Sequence, residues 1–564
     1  MLRKKILIRG VVQAVGFRPF VYNSARANKL SGFVFNSGKG VVIEAQGAAG
    51  ALQKFTRALQ KNPPPLSKIE SVKIQNIAVK KETGFKIKTT RRARAQTSAP
   101  ADIAVCKNCK KDIAGVKNRR YRYAFANCTN CGPRYTIIKN LPYDRAQTTM
   151  ARFKMCPACK AEFDNPKNRR FHAQPNCCPA CGPRLEFIYK SKSAGGIEQA
   201  AQKIKEGKII AIKSLGGFHL ACNALDKTAL ARLRARKRRP HKPLALMAGD
   251  IKTIKKYCHV NAAEEQLLKS KEAPVVMLKK KVEIPLISDG LATTGFMLPY
   301  TPLHKILFDI LGPRPLVMTS GNISGQPICI DNKEAQKTLA AVADGFLLHN
   351  RPIHNRMDDS VLFELNGKTH FLRRARGYAP GSLRLPAAVK KPTLALGGDL
   401  TSAFCLAKGD KAYLSQYIGD LDNAANAAYY KETLKKMRRL LNINPKVFVR
   451  DLHPNYFSAA FKPRATKAQH HLAHALSVAA EHNIKGRFLA FTFDGAGLGA
   501  NGEIWGAEFL VINKNTWRKA GGFKPVQILG GDSAAEDIRK CAASYMLAAG
   551  LSAPKAAAIK DINS

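Results

Sequence analysis

Four Cys-x-x-Cys knuckles constrain this chain more than any other feature of its sequence. They are separated by 18, 24 and 18 residues, and a shift of 50 residues superposes the first two knuckles on the last two. The same shift places the NRR of 118–120 on that of 168–170 and the CGPR of 131–134 on that of 181–184. The chain therefore contains one small unit twice. The eight cysteines are Cys106, Cys109, Cys128, Cys131, Cys156, Cys159, Cys178 and Cys181.

Each knuckle has the spacing of a metal site. Two thiolates separated by two residues can reach one tetrahedral zinc ion at about 2.3 Å. The glycine after Cys131 and after Cys181 lets the backbone turn around the ion. We therefore expect two structural zinc ions, each with four cysteine ligands. Spacing alone leaves open whether the knuckles pair within a repeat or across the repeats, and a disulfide or redox role is the alternative.

The bulk composition is that of a globular chain. It has 564 residues, of which 45% are hydrophobic, enough for roughly three to five domains. No run of about 18 apolar residues occurs, so we expect neither a membrane span nor a signal peptide. The expected location is the cytoplasm, where thiolate ligands stay reduced. The other cysteines are expected to be buried, namely Cys177, Cys222, Cys258, Cys329, Cys405 and Cys541.

Positive charge is in large excess. The chain has 94 Lys and Arg residues against 39 Asp and Glu residues, a formal charge of +55. Such a surplus suits nucleic acid, anionic metabolites or an acidic partner. Here it is spread along the chain rather than gathered in one stripe, which is more typical of a compositional bias than of a binding face. We therefore do not expect a nucleic-acid partner.

Residues 1–90 predict a small domain with an anion-binding loop. Strands and helices follow in the order βαββαβ, with the first helix expected at 20–29, which indicates a ferredoxin-like sandwich on an antiparallel sheet. The segment GVVQAVGFRPF at 10–20 places backbone amides and Arg18 at the start of a helix, an arrangement that holds phosphate. Asn36, on the next strand, can orient an attacking water. The loop resembles that of acylphosphatases, which implies catalytic roles for Arg18 and Asn36, although Ala14 replaces the second glycine of the family.

Residues 195–385 predict a mixed α/β domain. A linker at 89–100 and the cysteine repeat at 101–188 precede it. The strings KRRPHKP at 237–243 and TSGNISGQP at 319–327 resemble the YrdC-type domain, which makes carbamoyl-type adenylates from ATP and implies magnesium with that ATP. The predicted nucleotide-binding residues are Lys213, Lys237, Arg239, Lys242, Thr319, Ser320, Asn322 and Ser324.

Residues 391–564 predict a second α/β domain with its own metal site. In AQHHLAHA, His470 and His474 are four residues apart, so both imidazoles face one side of a helix. In FTFDGAGLG, Asp494 is expected at the end of a strand, followed by glycines that let phosphates approach. These strings and LALGGDLTSAF resemble the TsaD-like, actin-like (ASKHA) carbamoyl-transfer ATPases. The resemblance implies a divalent metal, iron or zinc, on the two histidines and the aspartate.

This last domain is shorter than the ATPases that it resembles. No second glycine-rich nucleotide loop occurs before the terminal KDINS. We therefore expect a partial domain that lacks a further acidic metal ligand and much of the ATP cleft. On this basis we expect the chain to be a fragment, an interrupted reading frame or half of a split protein.

The order of the four regions resembles that of the HypF-type carbamoyltransferases of [NiFe]-hydrogenase maturation. The most specific strings are NCTNCGPRYTI, RRFHAQPNCCPACGPR, TSGNISGQPI and QHHLAHA. The resemblance implies a relay in which carbamoyl phosphate is hydrolysed at Arg18 and Asn36 and the carbamate reacts with ATP to give carbamoyl-adenylate. The carbamoyl group then passes to the C-terminal cysteine of the partner HypE, as the precursor of a cyanide ligand.

Two other functions fit parts of the sequence. An enzyme that makes threonylcarbamoyladenosine in tRNA would use the two later domains, but that route starts from bicarbonate and threonine and leaves the N-terminal anion loop without a role. A zinc-knuckle scaffold that binds nucleic acid would leave Arg18, KRRPHKP and the His470 and His474 pair unexplained.

Overall fold

The computed structural model of the chain describes residues 1–13, 15–37, 40–64, 66–88, 99–141, 143–514, 516–535 and 537–552. Ala14, most of the predicted linker and the terminal KDINS lie outside the described residues. The chain divides into two compact units. The first comprises Met1–Leu383, Asp399–Ala407 and Lys411–Asn444, and the second comprises Arg384–Gly398, Lys408–Asp410 and the chain from Pro445 onward.

The N-terminal region has the predicted βαββαβ order followed by one more short strand. Its elements are β1 (Leu2–Val11), α1 (Phe17–Ala27), β2 (Ser31–Ser37), β3 (Gly40–Gly47), α2 (Ala49–Lys61), β4 (Lys68–Ile77) and β5 (Phe85–Ile87). The strand order is β4-β1-β3-β2-β5, antiparallel except for β2 and β5. Alternate residues of β1, Ile6 and Ile8, are fully buried with Phe55 of α2. The helices therefore cover one face of the sheet, as a ferredoxin-like fold requires.

The cysteine repeat has little regular structure. Its helices are α3 (Lys107–Ala114) and α4 (Pro157–Asp164), with two 3-10 turns at Arg145–Gln147 and Thr149–Arg152. Each helix begins one residue after the first cysteine of its repeat, so Cys106 and Cys156 occupy the same position before the helix. The internal repeat of the sequence is therefore also a repeat of structure.

An eleven-stranded mixed sheet forms the middle of the chain. Its order is β16-β15-β11-β12-β10-β13-β9-β8-β14-β6-β7. The strands are β6 (Leu185–Tyr189), β7 (Lys192–Ser193), β8 (Ile210–Lys213), β9 (Phe218–Asn223), β10 (Leu246–Met247), β11 (Val275–Lys279), β12 (Thr293–Met297), β13 (Leu316–Ser320), β14 (Gly345–His349), β15 (Val361–Leu365) and β16 (Lys368–Arg373).

Helices cover both faces of this sheet. They are α5 (Ile197–Lys205), α6 (Lys227–Lys237), α7 (Ile251–Tyr257), α8 (Ala262–Leu268), α9 (Pro302–Leu311) and α10 (Asn332–Thr338). Ile210 and Ile212 of β8 belong to one hydrophobic core, while Ile209 and Ala211 belong to another. Because successive side chains of a strand point to opposite faces, the two cores lie on opposite sides of the sheet. The predicted mixed α/β fold is confirmed.

The remaining elements include a second α/β region. They are β17 (Leu383–Ala395), β18 (Cys405–Leu414), α11 (Ala424–Leu441), β19 (Val447–Asp451), α12 (Phe457–Phe461), β20 (Thr466–Ala468), α13 (His470–Glu481), β21 (Arg487–Leu498), β22 (Ile504–Asn513), β23 (Thr516–Gly522) and α14 (Ile538–Ala548). In the second unit β17, β19 and β20 run parallel, and β21, β22 and β23 form an antiparallel sheet. None of the helices in the described ranges combines the length and apolar composition that a membrane crossing requires.

Candidate functional site

The cysteines gather in two clusters, and each cluster lies within one repeat. The first contains Cys106, Cys109, Cys128 and Cys131, and the second contains Cys156, Cys159, Cys178 and Cys181. The Sγ atoms of Cys106 and Cys128 are 3.7 Å apart, and those of Cys109 and Cys131 are 3.5 Å apart. Four ligands at about 2.3 Å from a tetrahedral zinc ion would be about 3.8 Å from one another. Both clusters therefore fit a structural zinc ion.

The same geometry excludes disulfides. All fourteen cysteines are described and free, and the sulfur separations far exceed the roughly 2.05 Å of an S–S bond. The backbone N–H of Cys159 and the neighbouring thiols lower the pKa of Cys156 to about 7, which favours the thiolate. Of the six scattered cysteines four are buried as predicted, whereas Cys405 and Cys541 are only half-buried.

Ion pairs connect the two repeats reciprocally. Asp112 and Glu162 occupy equivalent positions on α3 and α4, and each binds the two arginines of the other repeat's NRR string. The pairs join Arg119 and Arg120 to Glu162, and Arg169 and Arg170 to Asp112. Although burial opposes it, the hydrogen bond from Arg120 and the surrounding arginine charges lower the pKa of Glu162 to about 2. Reciprocal ion pairs therefore hold the two repeats together.

The predicted phosphate site is a cavity of about 360 Å³ between the N-terminal domain and the cysteine repeat. Arg18 and Asn36 both line it, together with Arg134, Tyr143 and other residues of the repeat. Gly16 precedes α1 with a φ of +77°, a conformation that L-residues rarely adopt, so a glycine is required at this turn. The fold therefore brings the two predicted catalytic residues to one cavity.

Burial shapes the chemistry of this cavity. Burial lowers the pKa of Arg18, whose closest carboxylate oxygen, Oδ1 of Asp144, is 3.9 Å from Nη2. The side-chain Oδ1 of Asn36 is buried and has no hydrogen-bond partner among the described residues. Burial and the charge of Arg18 lower the pKa of His172, another lining residue, to about 4. The site thus offers a guanidinium, an unsatisfied amide oxygen and a neutral imidazole.

Five of the predicted nucleotide-binding residues form one cluster at the ends of α6 and β13. Nζ of Lys237 donates to Oγ1 of Thr319 at 3.3 Å and to Oδ1 of Asn322 at 3.1 Å, and it also bonds Ser320. Arg239 donates to the same Thr319 hydroxyl at 3.4 Å. Burial and the charge of Arg239 lower the pKa of Lys237 well below its usual value. A buried amine held only by neutral oxygens suits the phosphates of a nucleotide.

The other three predicted residues lie at different distances from this cluster. Lys242 is exposed overall. Partial burial of its amine and, to a lesser extent, the charge of Arg239 lower the pKa of Lys242. Ser324 is exposed, and no side-chain hydrogen bond joins it to the cluster among the described residues. Lys213 donates instead to Oδ1 of Asn332 at 2.6 Å and lines a separate cavity. The nucleotide role of these three residues stays a prediction.

A buried polar network beside β9 was not predicted from the sequence. Nε2 of His219 lies 3.0 Å from Oδ2 of Asp359, whose Oδ1 accepts a 2.7 Å hydrogen bond from Nε of Arg376. The guanidinium of Arg376 lies 3.4 Å from the centre of the Tyr300 ring. The partners come from segments that are distant in sequence. The only signal in the sequence was that the DDSV string of Asp359 and the RRARGYAP string of Arg376 lie close to each other along the chain.

The histidine pair and Asp494 meet in the second unit. Nε2 of His470 and Nε2 of His474 are 3.2 Å apart, and Oδ2 of Asp494 is 3.2 Å from the first and 3.9 Å from the second. Asp494 does not end its strand as the sequence suggested. It lies within β21 where the pairing register with β22 shifts, and such a bulge redirects a side chain. The three residues fit a divalent metal ion.

Two further residues shape this cluster. Oδ2 of Asp451, at the end of β19, is 2.7 Å from Nδ1 of His470 and orients the ring so that Nε2 faces the cluster. This hydrogen bond raises the pKa of His470, while burial lowers that of His474. Gly497 also borders the cluster, since a Cβ atom there would lie 3.1 Å from Oδ2 of Asp494. Asp451 was not predicted, because it lies outside both motifs. Gly497 lies within FTFDGAGLG, whose glycines were predicted only to let phosphates approach.

Family models match nearly the whole chain in order. They are acylphosphatase at 4–87, HypF finger at 105–138 and 155–188, the Sua5/YciO/YrdC model described as telomere recombination at 202–375, HypF Kae1-like domain at 388–481, and the second Kae1-like subdomain of carbamoyltransferase at 490–563.

Curated carbamoyltransferases align with almost the whole chain. Carbamoyltransferase HypF of Synechocystis sp. is 45% identical over 542 residues, which are 94% of this chain and 70% of the relative. The chain belongs to the HypF carbamoyltransferase family. The probable carbamoyltransferase HypF of Methanocaldococcus jannaschii is 40% identical over 555 residues, or 94% of this chain and 72% of the relative.

Solved HypF structures have the same fold. A full-length HypF in its phosphate- and nucleotide-bound form matches with a TM-score of 0.93 and 43% identity, covering 97% of this chain and 73% of that one. HypF of T. kodakarensis matches with a TM-score of 0.91 and 37% identity, covering 99% of this chain and 74% of that one. The predicted family and fold class are confirmed, and the protein is an ATP-dependent carbamoyltransferase of hydrogenase maturation.

The tRNA-modification alternative rests on a distant relation. Threonylcarbamoyl-AMP synthase of Bos taurus is 28% identical over 162 residues, which are 26% of this chain. HypF relatives at 40–45% identity cover 94–97% of it. The family therefore implies the use of carbamoyl phosphate and ATP rather than threonine and bicarbonate.

Proposed function

We propose that the chain runs a carbamoyl relay whose first step is at Arg18 and Asn36, in residues 1–90. Arg18 and the amides at the start of α1 bind the phosphate of carbamoyl phosphate, and Asn36 positions the water. Water attacks phosphorus, the bond from phosphorus to the carbamoyl oxygen breaks, and carbamate and inorganic phosphate are formed. The unsatisfied Oδ1 of Asn36 supports this role, because it can accept a hydrogen bond from that water.

The second step takes place in residues 195–385. Lys237, Arg239, Thr319, Ser320 and Asn322 hold the phosphates of ATP, which enters with magnesium. A carboxylate oxygen of carbamate attacks the α-phosphorus, the bond to the bridging oxygen breaks, and pyrophosphate leaves. The product is carbamoyl-adenylate, a mixed anhydride. A buried lysine stabilises the charge that develops on the phosphate oxygens.

The third step belongs to residues 391–564. The acceptor is the C-terminal cysteine of a HypE-type partner, whose sulfur attacks the carbamoyl carbon while AMP leaves. His470, His474 and Asp494 would hold a divalent iron or zinc ion, which supplies positive charge for binding phosphate oxygens. Asp451 orients His470 toward that ion. The carbamoylated cysteine is the precursor of the cyanide ligands.

One observation carries the relay more than any other: two cavities border the same short segment of the cysteine repeat, residues 101–188. Arg134 lines the cavity of Arg18 and Asn36, while Cys131, Gly132 and Pro133 line the cavity of Lys213. Carbamate is short-lived in water, so a short path past this segment protects it from loss. The CGPR segment, whose Cys131 belongs to the first cysteine cluster, thus borders both the cavity of Arg18 and Asn36 and the cavity of Lys213.

The decisive experiment measures AMP and pyrophosphate from ATP with the purified chain and no RNA. We expect both products only when carbamoyl phosphate is added, and transfer of labelled carbamoyl to a cysteine when a HypE-type protein follows. Formation of AMP and pyrophosphate only with threonine and bicarbonate would replace the relay with tRNA-modification chemistry. The same assay with Lys237→Met, expected to lose product formation, ties the reaction to the named cluster.

A further inference from the structure

The cavity that contains Lys213 also contains a second buried cation, Arg351. The cavity measures about 450 Å³ and lies between the cysteine repeat and the middle sheet. Arg351 follows β14 by two residues and is buried, with the guanidinium 5.2 Å from the centre of the Phe125 ring. Neither Arg351 nor its neighbour His349 had an assigned role in the relay.

Arg351 has no counter-ion among the described residues. Its Nε is buried without a hydrogen-bond partner, and no carboxylate forms an ion pair with it. The acidic groups that act on its charge include the phenol of Tyr123 and the carboxylate of Asp102. Burial raises the pKa of Tyr123, so its phenol stays neutral, and Asp102 already accepts hydrogen bonds from the backbone N–H of Arg134 and the hydroxyl of Thr136.

Lys213 is buried in the same way. Its Nζ donates to Oδ1 of Asn332 at 2.6 Å and to the backbone oxygen of His349 at 3.3 Å, and both acceptors are neutral. Burial, with repulsion from Arg351 among the lesser causes, lowers its pKa to about 8. Burial also keeps His349 neutral by lowering its pKa well below the usual value. Two buried cations therefore face one cavity, and among the described residues no carboxylate forms an ion pair with either of them.

Such an arrangement is costly unless an anion completes it. A charge that is removed from water without a partner destabilises the folded state, even after the protein relaxes around it. The planar fork of a guanidinium matches the two oxygens of a carboxylate, and a lysine adds a further donor. We propose that Arg351 and Lys213 form a binding site for a one-carbon carboxylate, the chemical class of carbamate. The inference rests on the proposed relay, because it names the site where its intermediate is held.

The walls favour a carboxylate over a phosphate. Phe125, Leu215 and Pro302 are apolar lining residues, and the lining hydroxyl groups belong to Ser214, Tyr300 and Thr301. Oγ of Ser214 is already 3.0 Å from Nε2 of His304. A phosphate has three or four oxygens that need donors, as the Lys237 cluster can supply, whereas a carboxylate has two. The site is therefore suited to hold the carboxylate beside the nucleotide rather than to hold the nucleotide.

The test uses formate as a stable one-carbon carboxylate and the full chain. The shift in melting temperature is measured with formate, with phosphate and with chloride at equal ionic strength, and the dissociation constant is obtained from the formate titration. The variants are Arg351→Met and Lys213→Met. Arg122→Met serves as the control, since it removes one positive charge from a side chain that is 40% exposed and outside the cavity.

We expect formate to stabilise the wild type and Arg122→Met equally. Arg351→Met and Lys213→Met should each bind formate about tenfold more weakly, or worse, because each loses a charge-assisted hydrogen bond. Arg351→Met should still fold, because no partner loses an ion pair. If it does not, Arg351→Lys keeps the charge, loses the fork and should weaken formate binding.

Three outcomes would overturn the site: no formate-specific stabilisation of the wild type, undiminished formate binding in Arg351→Met or Arg351→Lys, or an Arg351-dependent effect that is stronger with phosphate. Failure of the relay is separable. If formate binding depends on Arg351 but AMP formation does not depend on carbamoyl phosphate, the site is supported and the relay is contradicted. If AMP is formed but formate binding does not depend on Arg351, the relay is supported and the site is contradicted.

Discussion

Nη1 of Arg169, in the second cysteine repeat, donates a hydrogen bond of 3.0 Å to Sγ of Cys109 in the first repeat. The relationship is reciprocal, because Nη1 of Arg119 in the first repeat lies 3.4 Å from Sγ of Cys159 in the second. Four thiolates outweigh the charge of one zinc ion, so a cation beside them is stabilising. Each repeat therefore supplies the cation for the metal site of the other.

Arg169→Ala is expected to weaken zinc binding at the first site. Loss of an outer hydrogen-bond partner typically costs about 10- to 100-fold in metal affinity. Release of zinc to a chelating dye should therefore show one of two ions leaving faster. Arg122→Ala, which removes an arginine of the first repeat that pairs with Glu198, is the control. Release of both ions at the wild-type rate would show that the hydrogen bond to Cys109 is dispensable.

Cys128→Ser is expected to halve the zinc content. The substitution removes one of four thiolates from the first cluster and leaves the second complete. Elemental analysis of the purified chain should fall from two zinc ions to one. Cys541→Ser, which changes a half-buried cysteine outside both clusters, should keep two. A content of two ions in Cys128→Ser would contradict the four-thiolate site.

Arg18→Ala is expected to abolish hydrolysis of carbamoyl phosphate while ATP binding is retained. Loss of a donor to the reacting phosphate costs about 100- to 1,000-fold in rate, and the Lys237 cluster does not include Arg18. Phosphate release and ATP affinity are measured separately. Arg9→Ala, an exposed arginine of β1, is the control. Equal loss of carbamoyl-phosphate hydrolysis and of ATP binding would contradict the assignment of these two functions to separate sites.

Acid should destabilise the protein partly through His172. Its pKa is lowered to about 4, mainly by burial, so between pH 6.5 and pH 4 the unfolded chain binds a proton that the folded chain does not. Stability is therefore lost as pH falls through this window. Between pH 7 and pH 5 the melting temperature should fall by about 2 to 4 °C less in His172→Asn than in the wild type.

Asn is chosen because His172 has a φ of +54°, which asparagine tolerates. His482→Asn, at an exposed position, is the matched control and should keep the wild-type pH dependence. The same slope in both variants would mean that His172 is not the responsible group.

Gly497→Ala is expected to weaken the metal site of the second unit. A Cβ atom there would lie 2.6 Å from Cε1 of His471, 3.0 Å from Cδ2 of His470 and 3.1 Å from Oδ2 of Asp494, so the cluster must open. We expect zinc or iron(II) affinity to fall about tenfold or more, measured by calorimetry. Gly495→Ala is a close control, since nothing lies within 4 Å of its Cβ position. Equal affinities in the two variants would contradict the site.

Local patterns predicted the elements better than their ends. The helix after the anion loop was expected at 20–29 and runs from Phe17 to Ala27. It starts earlier because Gly16 supplies the turn and Pro19 is tolerated in the first helical turn. The i, i+4 spacing of His470 and His474 placed both on one helix face, because helical geometry depends only on the local chain.

Such local patterns could not predict contacts between segments that are distant in sequence. The sequence left the pairing of the knuckles open, because each Cys-x-x-Cys fixes two ligands and the other two come from a turn elsewhere in the chain. Lys213 was grouped with the nucleotide residues by its neighbours in sequence, yet it faces the cavity of Arg351, 138 positions later. Asp451 was missed because its partner His470 lies on another element.

The sequence by itself determined the family, the order of the domains and the eight thiolates, because these depend on residue type and short spacing. Only the tertiary structure decided which thiolates can share an ion, that each repeat's arginine serves the other repeat, and that Lys213 and Arg351 line one cavity without an ion pair to either of them among the described residues. Those relationships arise when sheet pairing and core packing bring separate segments together, and electrostatic interactions act through space rather than along the chain.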